Sequence, residues 1–200
     1  MAAETTPSQS KSELRRAVLD ARASMSPFVL AQVNAELAEW MYRLPVDIAD
    51  GAIVAAYVAS GSEPGSTAIL DVLVDRGFTV LLPVVPPGDP ARLQWGEYRG
   101  EMALEARRWG LLEPTGRPLR PDAIHRARLI LVPALGADRS GARLGRGAGY
   151  YDRTLATIDA PVVAVVNDAE FLDDGIEQSQ HDVPVDWVLT PGSGFTAVGV

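Results

Sequence analysis

The chain has 200 residues, 47% of them hydrophobic, and carries 18 Lys+Arg against 26 Asp+Glu for a formal net charge of −8. A chain of this length buries roughly 70% of the surface it exposes when extended, enough for one core without staples. The absence of Cys excludes disulfide scaffolds, thiol catalysis, thiolate-bound zinc and iron–sulfur clusters.

Two histidines, His125 and His181, stand far apart in the sequence and argue against a multi-histidine metal site. The acidic balance argues against a nucleic-acid binder, which needs a broad basic face. The start MAAETTPSQS lacks the basic and apolar regions of a signal peptide, and no apolar run is long enough to cross a bilayer. These features predict a cytoplasmic protein with no nucleic-acid or membrane partner. No helical zipper or conspicuous apolar patch is visible, so a monomer is expected. Local Lys/Arg clusters within an acidic chain point to a small anionic ligand held in a pocket.

Residues 1–10 read as a flexible lead, and 11–200 as a single α/β domain. Ser10 followed by Glu13 is a capping-box pattern that opens a helix running to about Ser24. Leu14, Ala17, Val18 and Ala21 make its apolar stripe, while Lys11, Arg15 and Arg22 fall within roughly 40° of one another beside it. Without further context, such a basic stripe reads as a solvated face. Ser26-Pro27 starts a second helix, with Leu30, Val33, Leu37, Trp40, Met41 and Leu44 facing the core and Pro45 as its stop.

The rhythm then changes to short apolar runs between helix-like segments. AIVAAYVA (52–59) predicts a buried strand, Ser66-Thr67 a helix start over 68–76 ended by Gly77, and FTVLLPVV (78–85) the next strand. LQWGEYRG (93–100) alternates like an edge strand, inside a Pro/Gly/Arg-rich excursion from Pro86 to Pro121. RLILVPAL (128–135), a helix over about 150–157, VVAVV (162–166) and VDWVLT (185–190) complete the pattern. Strand–helix–strand alternation predicts an open, mostly parallel sheet with helices on both faces.

Chemistry concentrates in Asp138-Arg-Ser-Gly-Ala-Arg-Leu-Gly-Arg-Gly-Ala-Gly-Tyr-Tyr-Asp-Arg153. Gly141, Gly145, Gly147 and Gly149 remove Cβ atoms between a strand and a helix, which lets main-chain amides approach phosphate oxygens. Arg143 and Arg146 supply cationic forks suited to a triphosphate. Asp152 is a hard oxygen ligand placed where Mg²⁺ bridging phosphates would need one. The run is not a P-loop, because no Gly-Lys-Ser/Thr ends it, and it fails the dinucleotide fingerprint. The plainer alternative is a glycine-rich surface loop with solvated arginines.

Gly141-Ala-Arg-Leu-Gly-Arg-Gly-Ala-Gly-Tyr-Tyr-Asp152 closely resembles the signature of the 5-formyltetrahydrofolate cyclo-ligase family. Lys11-Ser-Glu-Leu-Arg15, Glu63, Trp109-Gly-Leu-Leu-Glu-Pro114 and His181-Asp-Val-Pro-Val-Asp-Trp-Val-Leu-Thr190 extend the likeness over most of the chain. After Glu63 the chain reads Pro-Gly-Ser-Thr where the family usually has a shorter Glu-x-x-Thr, and Ala148 stands where Gly or Lys is common.

The resemblance implies ATP- and Mg²⁺-dependent conversion of 5-formyltetrahydrofolate to 5,10-methenyltetrahydrofolate, with release of ADP and phosphate, through a phosphorylated formyl group. It assigns ATP to Lys11, Arg15, Arg143, Leu144, Gly145, Arg146, Gly147, Ala148, Gly149, Tyr150 and Tyr151, with Arg146 and Tyr151 nearest the chemistry. The folate falls to Glu63, Trp109, Arg146 and Tyr150, and Mg²⁺ to Asp152 and Asp186. Competing readings make Asp186 a backbone cap, Trp109 a packing residue, Tyr150 and Tyr151 core aromatics, and Glu113 and Asp138 loop organisers. A non-catalytic nucleotide- or folate-binding relative is the alternative function.

Overall fold

A computed structural model describes residues 10–199. The expected flexible lead therefore lies outside the described residues except for Ser10, which is the N-cap of helix α1 (Lys11–Ala23). Both arms of the capping box form: the Ser10 hydroxyl accepts from the Glu13 amide, and the Glu13 carboxylate accepts from the Ser10 amide at 3.0 Å. Helix α2 (Pro27–Trp40) begins as expected at Ser26 but ends at Trp40, five residues before Pro45. Its last residue is docked: the Trp40 indole Nε1 donates to the Pro191 carbonyl at 2.8 Å.

Next come β1 (Ile53–Ala55), α3 (Thr67–Asp75), β2 (Thr79–Val84) and β3 (Gln94–Glu97). β4 (Leu104–Ala106) and β5 (Leu112–Pro114) form a small antiparallel hairpin, and β6 (Ala127–Pro133) comes after it. The chain continues through β7 (Gly136–Asp138), β8 (Arg143–Leu144), α4 (Tyr150–Leu155), β9 (Val162–Val165), β10 (Phe171–Leu172), β11 (Trp187–Thr190) and β12 (Gly194–Ala197). The main sheet has seven strands in the order β12-β11-β9-β6-β1-β2-β3. Its five inner strands are parallel, and the two edges, β3 and β12, are antiparallel.

Period-two alternation divides the core. Leu129 and Leu131 of β6 face one side, with Val54, Val80, Val163 and Val165, and are covered by Leu37, Met41, Leu70 and Leu73 of the α2–α3 layer. Ile130 and Val132 face the other side, with Ala55, Leu81 and Ala164, under Leu155 of α4 and the aromatic Trp95. Helices thus lie on both faces, as the strand–helix alternation predicts. α1 sits apart, its Leu14 and Val18 packed on Leu135, Ala142, Leu144 and Ile176 around a three-stranded sheet of β10, β7 and β8.

From β1 the chain moves to β2 on one side, and from β6 it moves to β9 and β11 on the other. The strand order reverses between β1 and β6, and at such a switch point the carboxyl ends of neighbouring strands splay apart into a crevice. β1 is also shorter than the 52–59 run predicts. After the Ala56 amide makes its bond to the Leu81 carbonyl, the chain leaves the ladder and lines that crevice. The 86–121 excursion closes over the same end, through β3 and the β4–β5 hairpin.

Candidate active site

The crevice is a cleft of about 450 Å³. Its floor is built from the carboxyl-terminal ends of the strands and the segments just beyond them: Tyr57, Val58, Ser60 and Glu63 after β1, Pro83 and Val85 around the end of β2, and Pro133, Ala134 and Leu135 from the last residue of β6 onward. One wall is Trp109 and Leu111 to Glu113 from the hairpin; the other is Arg143 and Gly145 to Asp152.

The glycine-rich wall is held from outside. Asp138, almost fully buried, accepts from the Ser140 and Ala142 amides at 2.9 and 3.2 Å and from the Ile176 amide at 3.1 Å, so it organises the β7–β8 turn. Gly141 sits at φ +86°, and an added Cβ would lie 2.8 Å from the Val185 carbonyl oxygen. Gly141→Ala is therefore expected to destabilise the fold by at least about 2 kcal/mol through left-handed strain and overlap with main chain. Thermal unfolding should show Tm lower by roughly 4–10 °C; a Tm unchanged to within about a degree would mean that this turn relaxes freely.

Further along, Arg15 Nε donates to the Gly145 carbonyl at 2.8 Å. Arg153 Nη1 donates to the carbonyls of Ala148 and Gly149 at 3.0 and 2.9 Å. The amides of residues 146–149 donate to no protein group among the described residues. A loop with its carbonyls tied back and its amides unspent is built to receive an anion.

Arg15 and Arg153 thus serve carbonyls, whereas three other cations beside the loop meet carboxylates. Lys11 Nζ lies 2.6 Å from Asp182, Arg143 Nη2 2.7 Å from Asp152, and Arg146 Nε 3.0 Å from Glu63. Arg143 is buried with its Nε unpartnered among the described residues, whereas the Arg146 side chain is 57% exposed. Glu63 is held in turn by the Ser60 amide at 2.9 Å. Burial opposes ionisation of Asp182, but the Lys11 and Ser179 hydrogen bonds and the Lys11 charge together hold its carboxyl below the ordinary value. Burial, and then the Glu63 charge, push the Tyr151 phenol up, so it remains a neutral O–H donor at physiological pH.

A family model described as the 5-formyltetrahydrofolate cyclo-ligase family matches residues 7–191. A 5-formyltetrahydrofolate cyclo-ligase of Mycolicibacterium smegmatis is 48% identical over 195 residues, covering 95% of this chain and 98% of that protein. The chain belongs to the 5-formyltetrahydrofolate cyclo-ligase family. The solved structure of Aquifex aeolicus 5,10-methenyltetrahydrofolate synthetase superimposes with a TM-score of 0.76 at 26% identity, covering 94% of this chain and 92% of that one. A Mycoplasma pneumoniae 5,10-methenyltetrahydrofolate synthetase shares the fold, with a TM-score of 0.69 at 17% identity and coverage of 90% and 98%. The single α/β domain and its ligase activity follow from this membership.

Within this cyclo-ligase, Glu63, Trp109, Arg143, Gly145, Arg146, Gly147, Ala148, Gly149, Tyr150, Tyr151 and Asp152 all line one cleft. Leu144 is buried beneath it, packed with Leu135 and Ile176. Lys11 and Arg15 stand behind the loop on α1, so the basic stripe is a docking face and not a solvated one. Trp109 is 61% exposed at φ +60°, with the Arg108 guanidinium 4.1 Å from its ring centroid and the Tyr150 ring edge-on at 6.4 Å. That is an open aromatic rim and not a packed core position. Tyr150 and Tyr151 do both: they pack against the second core cluster and line the cleft.

Asp186 is the exception. Its Oδ2 accepts from the Val162 amide at 2.8 Å, at the amino ends of β9 and β11, whereas the cleft opens at carboxyl ends. It caps a strand that would otherwise leave an amide unpaired, and the structure does not bring it to Asp152. Sequence reasoning also passed over Asp182, Arg153 and Glu170. For Glu170 a signal existed, because Asn167-x-x-Glu170 forms a capping box. For Asp182 and Arg153 only the folded chain shows the partner.

Proposed function

We propose that this cyclo-ligase couples ATP to the closure of 5-formyltetrahydrofolate into 5,10-methenyltetrahydrofolate. The observation that carries the reading is the anion-ready loop 145–149, with unspent amides and with Arg143 and Arg146 in the same cleft as Glu63. Phosphate oxygens replace the carboxylates now paired with Lys11, Arg143 and Arg146. Glu63 then turns to the amino-pyrimidine edge of the pterin, while Trp109 and Tyr150 cover aromatic faces.

An amide-like formyl oxygen does not leave as hydroxide. Its attack on the γ-phosphorus breaks the bond to ADP, which departs with the electron pair. N10 then attacks the formyl carbon and gives up its proton, and phosphate leaves with the oxygen and carries that proton away. The protein supplies no nucleophile; it aligns the reactants and neutralises developing charge. Arg146 stands at the moving phosphoryl group, and the neutral Tyr151 hydroxyl donates beside it.

Among the described residues no group of three or more His, Cys, Asp or Glu could cage a metal. Mg²⁺ does not need one, since it is commonly held by one or two carboxylates plus substrate phosphates and water. Asp152 fits as that carboxylate: its side chain is 24% exposed at the cleft, with Oδ1 held by Arg143. Bound there, the ion would offset phosphate charge. The same reading takes the protein as a monomer acting in the cytoplasm.

The direct test mixes the purified protein with 5-formyltetrahydrofolate, ATP and Mg²⁺ and monitors methenyltetrahydrofolate absorbance. ATP-dependent product is expected; its absence at high protein concentration would overturn the reading. Lys11→Ala should chiefly raise KM for ATP, by about tenfold, with kcat little changed, as befits a charged group lost from phosphate binding. An unchanged KM for ATP would remove the first helix from the nucleotide site.

A further inference from the structure

Arg22 shares a helix face with Lys11 and Arg15 but lies at the other end of α1, where its side chain is 1% exposed. Its Nε and Nη2 each reach an oxygen of Glu170 at 2.7 Å, and Nη2 also donates to the Ala134 carbonyl at 2.7 Å. Ala134 belongs to the cleft floor. The Glu170 carboxylate accepts further from the Asn167 amide and side chain, both at 2.8 Å. Arg22 Nη1 and Asn167 Oδ1 are buried without partners among the described residues.

Stability does not account for this cluster. A buried ion pair offsets its own desolvation at best, and an apolar pair of similar volume is often as stable or more so. Leu14 and Val18 already supply the apolar docking of α1. Apolar contact alone tolerates sliding along a helix axis, where each residue advances about 1.5 Å. A bidentate arginine fixed to a carboxylate and to a main-chain carbonyl does not slide.

We propose that the Arg22–Glu170 pair is a positioning element that sets the axial register of α1 against the sheet ends, holding Arg15 on the Gly145 carbonyl and Lys11 at the nucleotide. Neither side chain touches substrate; both act through the helix and the glycine loop. The inference rests on the nucleotide reading given above.

The test replaces both partners, Arg22→Met with Glu170→Met, so that no buried charge is orphaned. KM for ATP should rise about tenfold, the scale expected when a binding group is displaced by about an ångström. kcat and KM for the folate should each stay within about threefold. Lys11→Ala added in that background should raise KM for ATP less than it does in the wild type, because Lys11 is already out of place. Arg22→Lys, which can reach Glu170 but not Ala134 as well, should give an intermediate KM and decides the matter if the double variant does not fold. A wild-type KM for ATP in the folded double variant, or in Arg22→Lys where only that folds, overturns the inference. If Lys11→Ala alone leaves KM for ATP unchanged, α1 is not at the nucleotide and this inference falls by itself; absence of ATP-dependent product is the separate result that removes the nucleotide reading.

Discussion

Arg146→Ala is expected to lower kcat by about a hundredfold or more, the usual consequence of losing one preorganised donor to developing charge. The fold should barely notice. The Arg146 side chain is 57% exposed, and ion pairs at such positions contribute about 0–1 kcal/mol, so Tm should move by no more than about 2 °C. The same substitution releases Glu63, which is only 10% exposed and is otherwise held by Arg146 and the Ser60 amide. KM for the folate should therefore not rise, since the carboxylate proposed for the pterin no longer has to exchange partners. Steady-state kinetics separate these effects: a fall in kcat without a rise in folate KM supports phosphoryl stabilisation by Arg146. Wild-type kcat would exclude that role.

Three cation–carboxylate pairs, each joining elements distant in sequence or flanking the loop, surround an anion-ready segment in an acidic protein. Without a ligand, uncompensated cations this close together would repel one another, and the carboxylates relieve that repulsion. In the proposed reading a triphosphate would take over the same task, so that nucleotide binding would exchange one set of anions for another. The net gain would then be smaller than the count of cations suggests, and the exchange would set Glu63 and Asp152 free for other ligands.

Much of this was legible in the sequence because it is local. The capping box at Ser10 and Glu13, the Ser26-Pro27 start, and the continuous apolar runs of β2, β6 and β9 depend on neighbours a few residues away, and all appear in the fold. The glycine spacing from 141 to 149 likewise pointed to the loop that lines the cleft. β12 escaped notice because four residues beginning with glycine carry no readable alternation; its place comes from pairing with β11. The fates of Arg22 and Asp186 were equally hidden. Helical periodicity groups Arg22 with Lys11 and Arg15 but cannot reveal a partner 148 residues away, and a motif near a strand does not say which end of the strand meets the site.

Asp152 and Asp186 can be told apart by one experiment. Asp152→Asn keeps an oxygen for Arg143 but loses the charge that would hold Mg²⁺, so the Mg²⁺ concentration for half-maximal rate should rise about tenfold or more, and kcat should fall even at saturating metal. Arg143 is 3% exposed, and weakening its only carboxylate partner among the described residues should also lower stability, by about 1–3 kcal/mol. Asp186→Asn should behave differently. It still offers an oxygen to the Val162 amide at the amino end of β9, and Asp186 does not line the cleft, so Mg²⁺ dependence should match the wild type and Tm should fall by at most a few degrees. Titrating Mg²⁺ at fixed ATP for both variants gives the answer. Equal shifts would return Asp186 to the metal and require the 183–187 segment to rearrange around Asp152, whose Oδ1 the Val183 amide already approaches at 3.5 Å. A shift in Asp152→Asn alone leaves Mg²⁺ bound by one protein carboxylate and the phosphates it neutralises.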